Sequence, residues 1–188
     1  MFTGFDAIKT RLAGRTSLSV DTPGLLETAV ALILTPGERG LEALFIRRAE
    51  RADDPWSGHI ALPGGRREPE DADRLATAVR ETREEVGLEL PADALLGALD
   101  DLHPMTPRLP PLVIRPYVFG FERRPEARVS DEVAGVMWLP LAELAACAGR
   151  SIVQIRGAAT EVDCFNCGDA VIWGLTFRIL SGFLKLAA

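Results

Sequence analysis

Cysteine is scarce in this sequence and forms no framework. The 188 residues include three cysteines, Cys147, Cys164 and Cys167, and this odd number favours a reducing compartment over a set of disulfides. Cys164 and Cys167 have the spacing of half a zinc site, but no second pair exists, and the two histidines, His59 and His103, are far away in sequence. The sequence therefore argues against both a fold stabilised by a set of disulfide bonds and a structural zinc site.

Long apolar runs and an excess of basic residues are also missing. No stretch approaches the roughly 20 apolar residues that a membrane span requires, and the first residues lack the basic leader and apolar core of a signal peptide. A net charge of -6 and a pI near 5.0 argue against the broad basic surface that nucleic acid or a membrane would attract. We therefore expect a cytoplasmic protein without a nucleic-acid or membrane partner.

What the sequence does contain is ordinary for a globular protein. Hydrophobic residues make up 47% of the chain and charged residues 26%, and the length is sufficient for one domain with a full core. No internal repeat or low-complexity tract is visible. We therefore expect one domain over residues 1–188, with residues 1–27 as an extension at its edge.

Strand and helix patterns alternate along the chain, which predicts a mixed α/β class. In the first half we expect a helix at 5–12, a hairpin of strands at 28–35 and 41–47, a helix ending at Gly87, and irregular proline-rich loops at 91–101 and 103–111. In the second half we expect a strand at 112–121, a strand at 132–139, a short helix at 140–148, a hairpin at 152–155 and 160–165, and a closing helix at 170–186. Pro116 should interrupt its strand at an edge or a bulge, and Trp173 should pack in the core.

In the stretch 62–88 a glycine pair precedes a charged helix. Gly64 and Gly65 permit a backbone that doubles back and brings a main-chain carbonyl close to a ligand. We expect the helix to begin near Pro69, because negative charge suits the positive end of the helix dipole, and to end at Gly87. Its expected first turn contains Glu70, Asp71 and Asp73.

One face of that helix concentrates carboxylates. Glu81, Glu84 and Glu85 lie opposite an apolar stripe, at spacings where like charges repel by roughly a few tenths of a kcal/mol per pair. A divalent cation removes this conflict, because hard ions such as Mg²⁺ take carboxylate and carbonyl oxygens. For an isolated helix the alternative is a solvated face paired by Arg80 and Arg83, but the glycine pair in front favours a metal site. The apolar stripe consists of Leu75, Val79, Thr82 and Val86.

The order of these residues resembles the Nudix box, GX5EX7REUXEEXGU with U aliphatic, placed here at about residues 64–88. Fourteen residues separate Gly65 from Arg80, where the box has thirteen. Asp71 or Glu70 fills the first acidic position, and Thr82 stands at an aliphatic one. The second half of the box, where the metal chemistry is expected, is otherwise intact. The matching residues are Gly65, Arg80, Glu81, Glu84, Glu85, Gly87 and Leu88.

The resemblance implies an α/β/α sandwich, with a mixed β-sheet between helices, and a pyrophosphatase that uses Mg²⁺ or Mn²⁺. Arg80 is then expected to orient a glutamate of the site through a salt bridge. The general base is open between Glu81 and an acid from a distant loop, for which Asp131-Glu132 ahead of a strand is the candidate. Glu132 is favoured as an extra metal ligand or a water-positioning group, and an acidic turn residue is its other interpretation. The implied metal ligands are Glu81, Glu84, Glu85 and the backbone carbonyl of Gly64.

A basic segment upstream of the box bears on the substrate. Arg47, Arg48 and Arg51 have guanidinium groups that suit bidentate phosphate contacts. The alternative is a solvated basic turn, paired to Asp53 and Asp54. The expected substrate-binding residues are Arg47, Arg48, Arg51 and Gly65.

Two flanking segments narrow the substrate class. Residues 48–65 and 172–176 are similar to signatures of the coenzyme A pyrophosphatase-type Nudix enzymes, which implies coenzyme A or its derivatives as the first-choice substrate. ADP-ribose, NADH and dinucleotide polyphosphates are the other candidates, and specificity is expected to depend on loops around Trp56, His59 and Arg108. A homodimer is plausible for this family. The alternative from another class is a non-catalytic, nucleotide-sensing Nudix module, which would be expected to lose the box carboxylates.

Overall fold

A computed structural model describes residues 4–20, 23–51, 56–106, 109–155 and 157–188. Groups of strands are separated by single helices along the chain. In order they are α1 (Phe5–Ala13), β1 (Leu26–Gly37), β2 (Gly40–Arg48), β3 (Ile60–Ala61), β4 (Gly64–Arg66), α2 (Arg74–Val86), a 3₁₀ turn (Ala92–Ala94), β5 (Leu95–Ala98), β6 (Leu112–Gly120), β7 (Val133–Pro140), α3 (Leu141–Ala146), β8 (Ala148–Ile155), β9 (Ala158–Cys167), β10 (Ala170–Trp173) and α4 (Gly174–Ala187).

The main sheet is mixed and is split near its centre. Within the described residues its order is β3-β2-β1-β6-β5, with β4 paired to β1 and β7 to β2. β1 and β6 run parallel, from Leu26 opposite Leu112 to Leu34 opposite Gly120, whereas the other pairs are antiparallel. β1 pairs with β2 only near their connecting turn. The segment of β3 and β4 fills the gap where the two strands diverge, and this places the glycine pair inside the sheet.

Helices cover both faces of this sheet. Leu32 and Leu34 of β1 belong to a core cluster with residues of α1 and α4. Ala31 and Ile33, which alternate with them, belong to a second cluster that includes Val86 of α2. The two apolar clusters flank the sheet, so the expected α/β/α sandwich with a mixed sheet is confirmed.

Helix α2 begins later than its acidic residues suggested. Asp73 is the N-cap, and its carboxylate accepts a hydrogen bond from the Ala76 N–H at 2.8 Å. The expectation that Glu70 and Asp71 lie in the first turn is wrong, because the helix starts only after this cap. The end of the helix is as expected: Gly87 has a φ of 65° and its N–H donates to the Arg83 carbonyl.

Three further sequence predictions need correction. Residues 91–101 are partly regular, because β5 pairs with residues of β6. Pro116 lies inside a continuous β6 that has neighbours on both sides; β5 ends at Ala98, opposite Tyr117, so its ladder stops just before the proline. The closing helix begins at Gly174, because Ala170 to Trp173 pair with β9 instead. Short apolar runs cannot be assigned to strand or helix by periodicity alone.

A second sheet joins the same core as α4. β9 lies between β8 and β10, and both pairings are antiparallel, which confirms the predicted hairpin at 152–155 and 160–165. Phe165 and Ile172 of this sheet are buried in the cluster that contains α4. No helix in the described ranges is both long and apolar enough to cross a bilayer.

The cysteines are paired in a way that the sequence did not predict. Cys147 at the end of α3 and Cys167 at the end of β9 form a disulfide, with their Cα atoms 5.6 Å apart. The odd number of cysteines favoured a reducing compartment over a set of disulfides and did not predict this pair, because only the fold brings two residues 20 positions apart side by side. Cys164 is free and buried. It lies three residues before Cys167 on a strand, and such positions face opposite sides, so the pair does not form half a zinc site.

Candidate active site

The glycine pair allows β4 to lie against both β1 and α2. Gly64 has a φ of 146°, and a side chain there would overlap the Ala29 carbonyl oxygen. At Gly65 a Cβ would overlap the Glu81 carboxylate. Neither position can therefore take a larger residue without moving the site, so the glycines are needed for close approach as well as for the turn.

Glu85 is the most deeply buried carboxylate of the site. Its side chain is 5% exposed, and it accepts a hydrogen bond from the Gly64 N–H at 2.8 Å. Burial raises the pKa of Glu85 to about 7, although the Gly64 hydrogen bond and the Arg48 charge oppose this shift. The negative charges of Glu81 and Glu132 raise the pKa further. The site thus holds more negative charge than its protein surroundings compensate.

Arg80 bridges the other two glutamates of the box. Its Nη1 donates to Glu81 at 3.1 Å and to Glu84 at 3.0 Å. The Glu81 side chain is 17% exposed and that of Glu84 is 53% exposed. Burial raises the pKa of Glu81, and the Arg80 charge acts against it. Glu81 and Glu85 therefore face the β4 backbone together, while Glu84 lies at the solvent edge.

The fit of this site to a divalent cation follows from its charge and its oxygen donors. The negative charge of Glu81 raises the pKa of Glu85 beside the backbone of Gly64, and a hard cation relieves this repulsion between ionised carboxylates. The resemblance to the Nudix box implies an ion of this kind. Among the described residues, however, no three carboxylate, imidazole or thiol groups stand close enough to form a completed metal shell. The donor chemistry fits an ion, whereas the exposed Glu84 side chain must turn from Arg80 to join one.

The hydrogen bonds of Asp71 identify it as the acidic residue in the first half of the box. Its carboxylate accepts from Arg80 Nε and Nη2, each at 3.0 Å, and from the Thr77 hydroxyl at 3.0 Å. The Arg80 hydrogen bonds hold the pKa of Asp71 well below its usual range, and the same pair raises the pKa of Arg80. Glu70 is exposed. Asp71 therefore occupies the acidic position that the sequence left open between the two residues.

The role of Asp71 had only a weak signal in the sequence. The irregular spacing before Arg80 was visible, but the folded-back turn that the spacing requires was not. In that turn the Glu68 N–H donates to Asp71 at 3.0 Å, and Arg80 Nη2 also reaches the Arg66 carbonyl at 2.9 Å. Asp71 thus holds Arg80, which in turn holds two glutamates, so it acts on the site through a neighbour.

Hydrogen bonds from a distant loop bring Glu132 to the same region. The Arg128 N–H donates to the Val86 carbonyl at 2.8 Å and the Ser130 N–H to the Glu85 carbonyl at 3.0 Å. This ties the loop before β7 to the end of α2. Glu132 is close enough that its charge raises the pKa of both Glu81 and Glu85. The structure therefore brings Glu132 toward the carboxylates, while its role stays a prediction.

The three upstream arginines occupy different environments. The charge of Arg48 lowers the pKa of Glu85, which places Arg48 near the site. Arg47 precedes it on β2, and successive residues of a strand face opposite sides of the sheet. Arg51 is half-exposed and forms an ion pair of 3.4 Å with Glu132. The proposed partners Asp53 and Asp54 lie outside the described residues.

An aromatic cluster lies beside β3. The rings of Trp56, His59 and Trp173 are in mutual contact, with centroids 4.8 to 6.0 Å apart. All three are half-buried, so Trp173 is only partly the core residue that helical spacing predicted. The His59 carbonyl accepts from the Arg48 N–H at 3.0 Å, which connects the cluster to the basic segment. Arg108, the third residue expected near the specificity loops, lies outside the described residues.

Known proteins resemble this chain in both sequence and structure. The NUDIX domain family matches residues 25–155. Human mitochondrial coenzyme A diphosphatase NUDT8 is 32% identical over 167 residues, which cover 85% of this chain and 70% of the human protein. The Schizosaccharomyces pombe protein C14C4.10c is 41% identical over 106 residues, 54% of this chain, and the match spans only 32% of the yeast protein.

A solved structure adds support for the fold. The NUDIX hydrolase from Alicyclobacillus acidocaldarius has a TM-score of 0.61 to this chain at 17% identity, with 88% of this chain and 93% of that chain covered. At that identity the likeness concerns the fold alone. Because the family domain spans most of the sequence and a relative above 30% identity is covered for more than two-thirds of its length, the chain belongs to the Nudix hydrolase family, as an enzyme of the Nudix pyrophosphatase class.

Proposed function

We propose that the protein hydrolyses the pyrophosphate bond of coenzyme A or of a coenzyme A derivative with the aid of Mg²⁺ or Mn²⁺. The observation that carries the chemistry is the buried Glu85 carboxylate, which bonds the Gly64 N–H and lies beside Glu81. The substrate is supported by the similarity to a protein named as a coenzyme A diphosphatase over 85% of this chain. The flanking segments at 48–65 and 172–176 add to that support.

The proposed reaction assigns different roles to the side chains of the site. Water attacks one phosphorus of the pyrophosphate, and the other phosphate leaves with the electrons of the broken P–O bond. A divalent ion held by these residues would supply positive charge to offset the negative charge that gathers on the phosphate oxygens. Asp71 fixes Arg80, and Arg80 orients the neighbouring glutamates. The proposed metal-holding groups are Glu81, Glu84, Glu85 and the carbonyl of Gly64.

The proton of the attacking water needs an acceptor. Glu132 lies near the buried carboxylates and is 61% exposed on its side chain, so water reaches it. We propose that Glu132 positions the water or takes its proton, with Glu81 as the second candidate. The Glu132→Gln variant tests this role: turnover should fall at least tenfold, and unchanged turnover would assign the role to another group.

The substrate-binding role is proposed for the arginines of the upstream segment. Arg48 is near Glu85, and Arg51 is near Glu132, so both border the acidic site. Their guanidinium groups can pair with phosphate oxygens once a substrate is bound. Arg47, on the opposite side of β2, and the Gly65 backbone are the weaker candidates. Arg48→Ala should raise KM more than it lowers kcat, because it removes a binding contact and not a reacting group.

A substrate panel tests the proposal directly. Coenzyme A, ADP-ribose, NADH and a dinucleotide polyphosphate are each incubated with the protein and Mg²⁺ or Mn²⁺, and products are separated by chromatography. We expect adenosine 3′,5′-bisphosphate and 4′-phosphopantetheine from coenzyme A, at the highest kcat/KM of the panel. A higher kcat/KM for ADP-ribose or another member of the panel would make that compound the substrate in place of coenzyme A. Binding without any hydrolysis would favour a sensing module.

Two further expectations concern the protein in the cell. A homodimer is proposed, and light scattering on the purified protein would give its mass. The human relative is named as mitochondrial, whereas this sequence led us to expect a cytoplasmic location. Fluorescence microscopy of the tagged protein in its own cells tests that location.

A further inference from the structure

A cavity lies on the side of the main sheet opposite the acidic helix. It has a volume of about 390 Å³, which is within the range of small-molecule sites. Ile179 and Phe183 of α4 line it and belong to the core cluster with α1 and α4. Glu85 and Val86, in contrast, belong to α2 on the other face. The cavity is therefore separate from the candidate active site.

The floor of this cavity is apolar. Leu99 and Pro116 form it from the sheet side, and Ile179 and Phe183 form it from the helix. Leu99, Ile179 and Phe183 are themselves buried, so the floor is a fixed part of the core. An apolar floor of this kind favours a ligand that brings hydrocarbon with it.

The rim of the cavity is cationic, although the protein as a whole is acidic. Arg15, Arg178 and Lys185 line it. Arg15 is already paired with Asp100. Neither Arg178 nor Lys185 forms an ion pair with any described residue. Two cations on one edge of the cavity are thus available to an incoming anion.

The acidic residues at the cavity do not cancel this rim charge. The Asp101 side chain is fully buried, and its carboxylate bonds Arg74 and Arg115, each at 3.0 Å. The Val20 N–H also donates to it at 2.8 Å. The charge of Asp101 is therefore compensated by Arg74 and Arg115, and that of Asp100 by Arg15. The charges of Arg178 and Lys185 remain, so this edge of the cavity is net positive.

A glycine keeps the space between the two free cations open. Gly182 lies four residues after Arg178 and three before Lys185, so all three residues share one face of α4. A Cβ at Gly182 would meet nothing within 4 Å. Glycine costs stability inside a helix, and here the missing side chain leaves cavity volume beside the cations. A larger residue at 182 should fill the cavity without disturbing the fold.

We propose that this cavity binds a small amphipathic anion, a molecule that joins a carboxylate or a phosphate to an apolar chain. The apolar chain packs over the floor at Ile179 and against the half-buried side chains of Leu102 and Leu186. The anionic group pairs with Arg178 and Lys185. A fatty-acid carboxylate and an alkyl phosphate share this chemistry. Neither belongs to the reaction at the acidic helix, so the site is independent of the proposed hydrolysis.

The test is a titration followed by ¹H–¹⁵N NMR with four probes: octanoate, octyl phosphate, neutral octanol and acetate. We expect saturable shifts of the Leu99 and Gly182 amides with octanoate or octyl phosphate, at least tenfold tighter than with octanol or acetate. The stronger of the two anions identifies the headgroup. Equal binding of octanol overturns the role of the cations, and equal binding of acetate overturns the role of the apolar floor.

Matched variants make the result specific to the cavity. Gly182→Leu should abolish binding, whereas Gly182→Ala, which changes the helix but adds little volume, should retain it. The double variant Arg178→Glu and Lys185→Glu should weaken binding at least tenfold, and Arg123→Glu on an exposed loop should not. Binding that survives Gly182→Leu, or shifts at Gly64 and Glu85 instead, would overturn the proposal. So would shifts that depend on protein concentration without a probe, which would make this face a contact between copies.

Discussion

The two ends of helix α2 treat negative charge in opposite ways. At Asp71, just before the helix, the guanidinium of Arg80 supplies two hydrogen bonds and the pKa of the carboxyl falls below its usual range. At Glu85, near the end, burial dominates and the pKa rises to about 7. A carboxylate paired to an arginine supports the fold, whereas a carboxylate that is buried without sufficient cation is costly to the fold. The contrast supports the proposal that the second group serves to bind an ion rather than to stabilise the fold.

The largest expected effect comes from removing the buried charge. Glu85→Gln should reduce metal-dependent hydrolysis by about 10³-fold, because an amide is a poor ligand for a hard cation. The fold should persist, since the amide oxygen can still accept from the Gly64 N–H. Steady-state kinetics with Mg²⁺ and Mn²⁺ measures the loss. Glu161→Gln on the exposed strand β9 is the control, and full activity of Glu85→Gln would remove Glu85 from the proposed metal site.

The same residue predicts an unusual pH dependence of stability. The pKa of Glu85 is raised in the folded chain, so the native state holds this proton more tightly than the unfolded state does. Stability is therefore highest below the ordinary glutamate pKa and is lost as pH rises toward 7, by about 3 kcal/mol if no other group compensates. Urea unfolding at several pH values, with EDTA present, measures this loss. It should shrink in Glu85→Gln and on addition of Mn²⁺; an unchanged slope in both would contradict the assignment.

A third effect tests the contact between the glycine pair and the helix. Gly65→Ala should lower kcat by about 10²-fold, because its Cβ displaces the Glu81 carboxylate from the β4 backbone. Gly135→Ala is the matched control on β7, where an added Cβ meets nothing within 4 Å. Thermal unfolding of both variants separates a displaced glutamate from a damaged sheet. Equal kcat values in the two variants would show that Glu81 tolerates the shift.

The sequence predicted one half of this contrast better than the other. Glu81, Glu84 and Glu85 were assigned to one functional face because their spacing on a helix is local information. The choice between Asp71 and Glu70 could not be made from the sequence, because it depends on a turn that folds back onto Arg80. The position of Glu132 rests on hydrogen bonds between residues more than 40 positions apart, such as that from Ser130 to Glu85.

The fold was predicted unevenly for the same reason. The hairpin of β1 and β2 and the helix α1 follow from local patterns of apolar residues. β5 was missed because four residues with an interior Gly97 carry no clear alternation. The pairing of Cys147 with Cys167 depends on how α3 meets β9, which no spacing rule contains.

The smallest expected effect comes from the opposite end of the contrast. Asp71→Asn should lower the free energy of unfolding by about 2 kcal/mol, because it weakens two charge-assisted hydrogen bonds while Arg80 keeps Glu81 and Glu84 as partners. The folded pKa of Asp71 is depressed, so its contribution is present above the ordinary aspartate pKa and is lost as pH falls below about 4. The variant should therefore lose part of the acid-dependent destabilisation of the wild type, which urea unfolding between pH 3 and pH 6 measures. A variant that keeps its stability but loses kcat would make Asp71 a positioning residue alone, and the contrast between the two ends of α2 would then be one of geometry, with charge compensation playing no part.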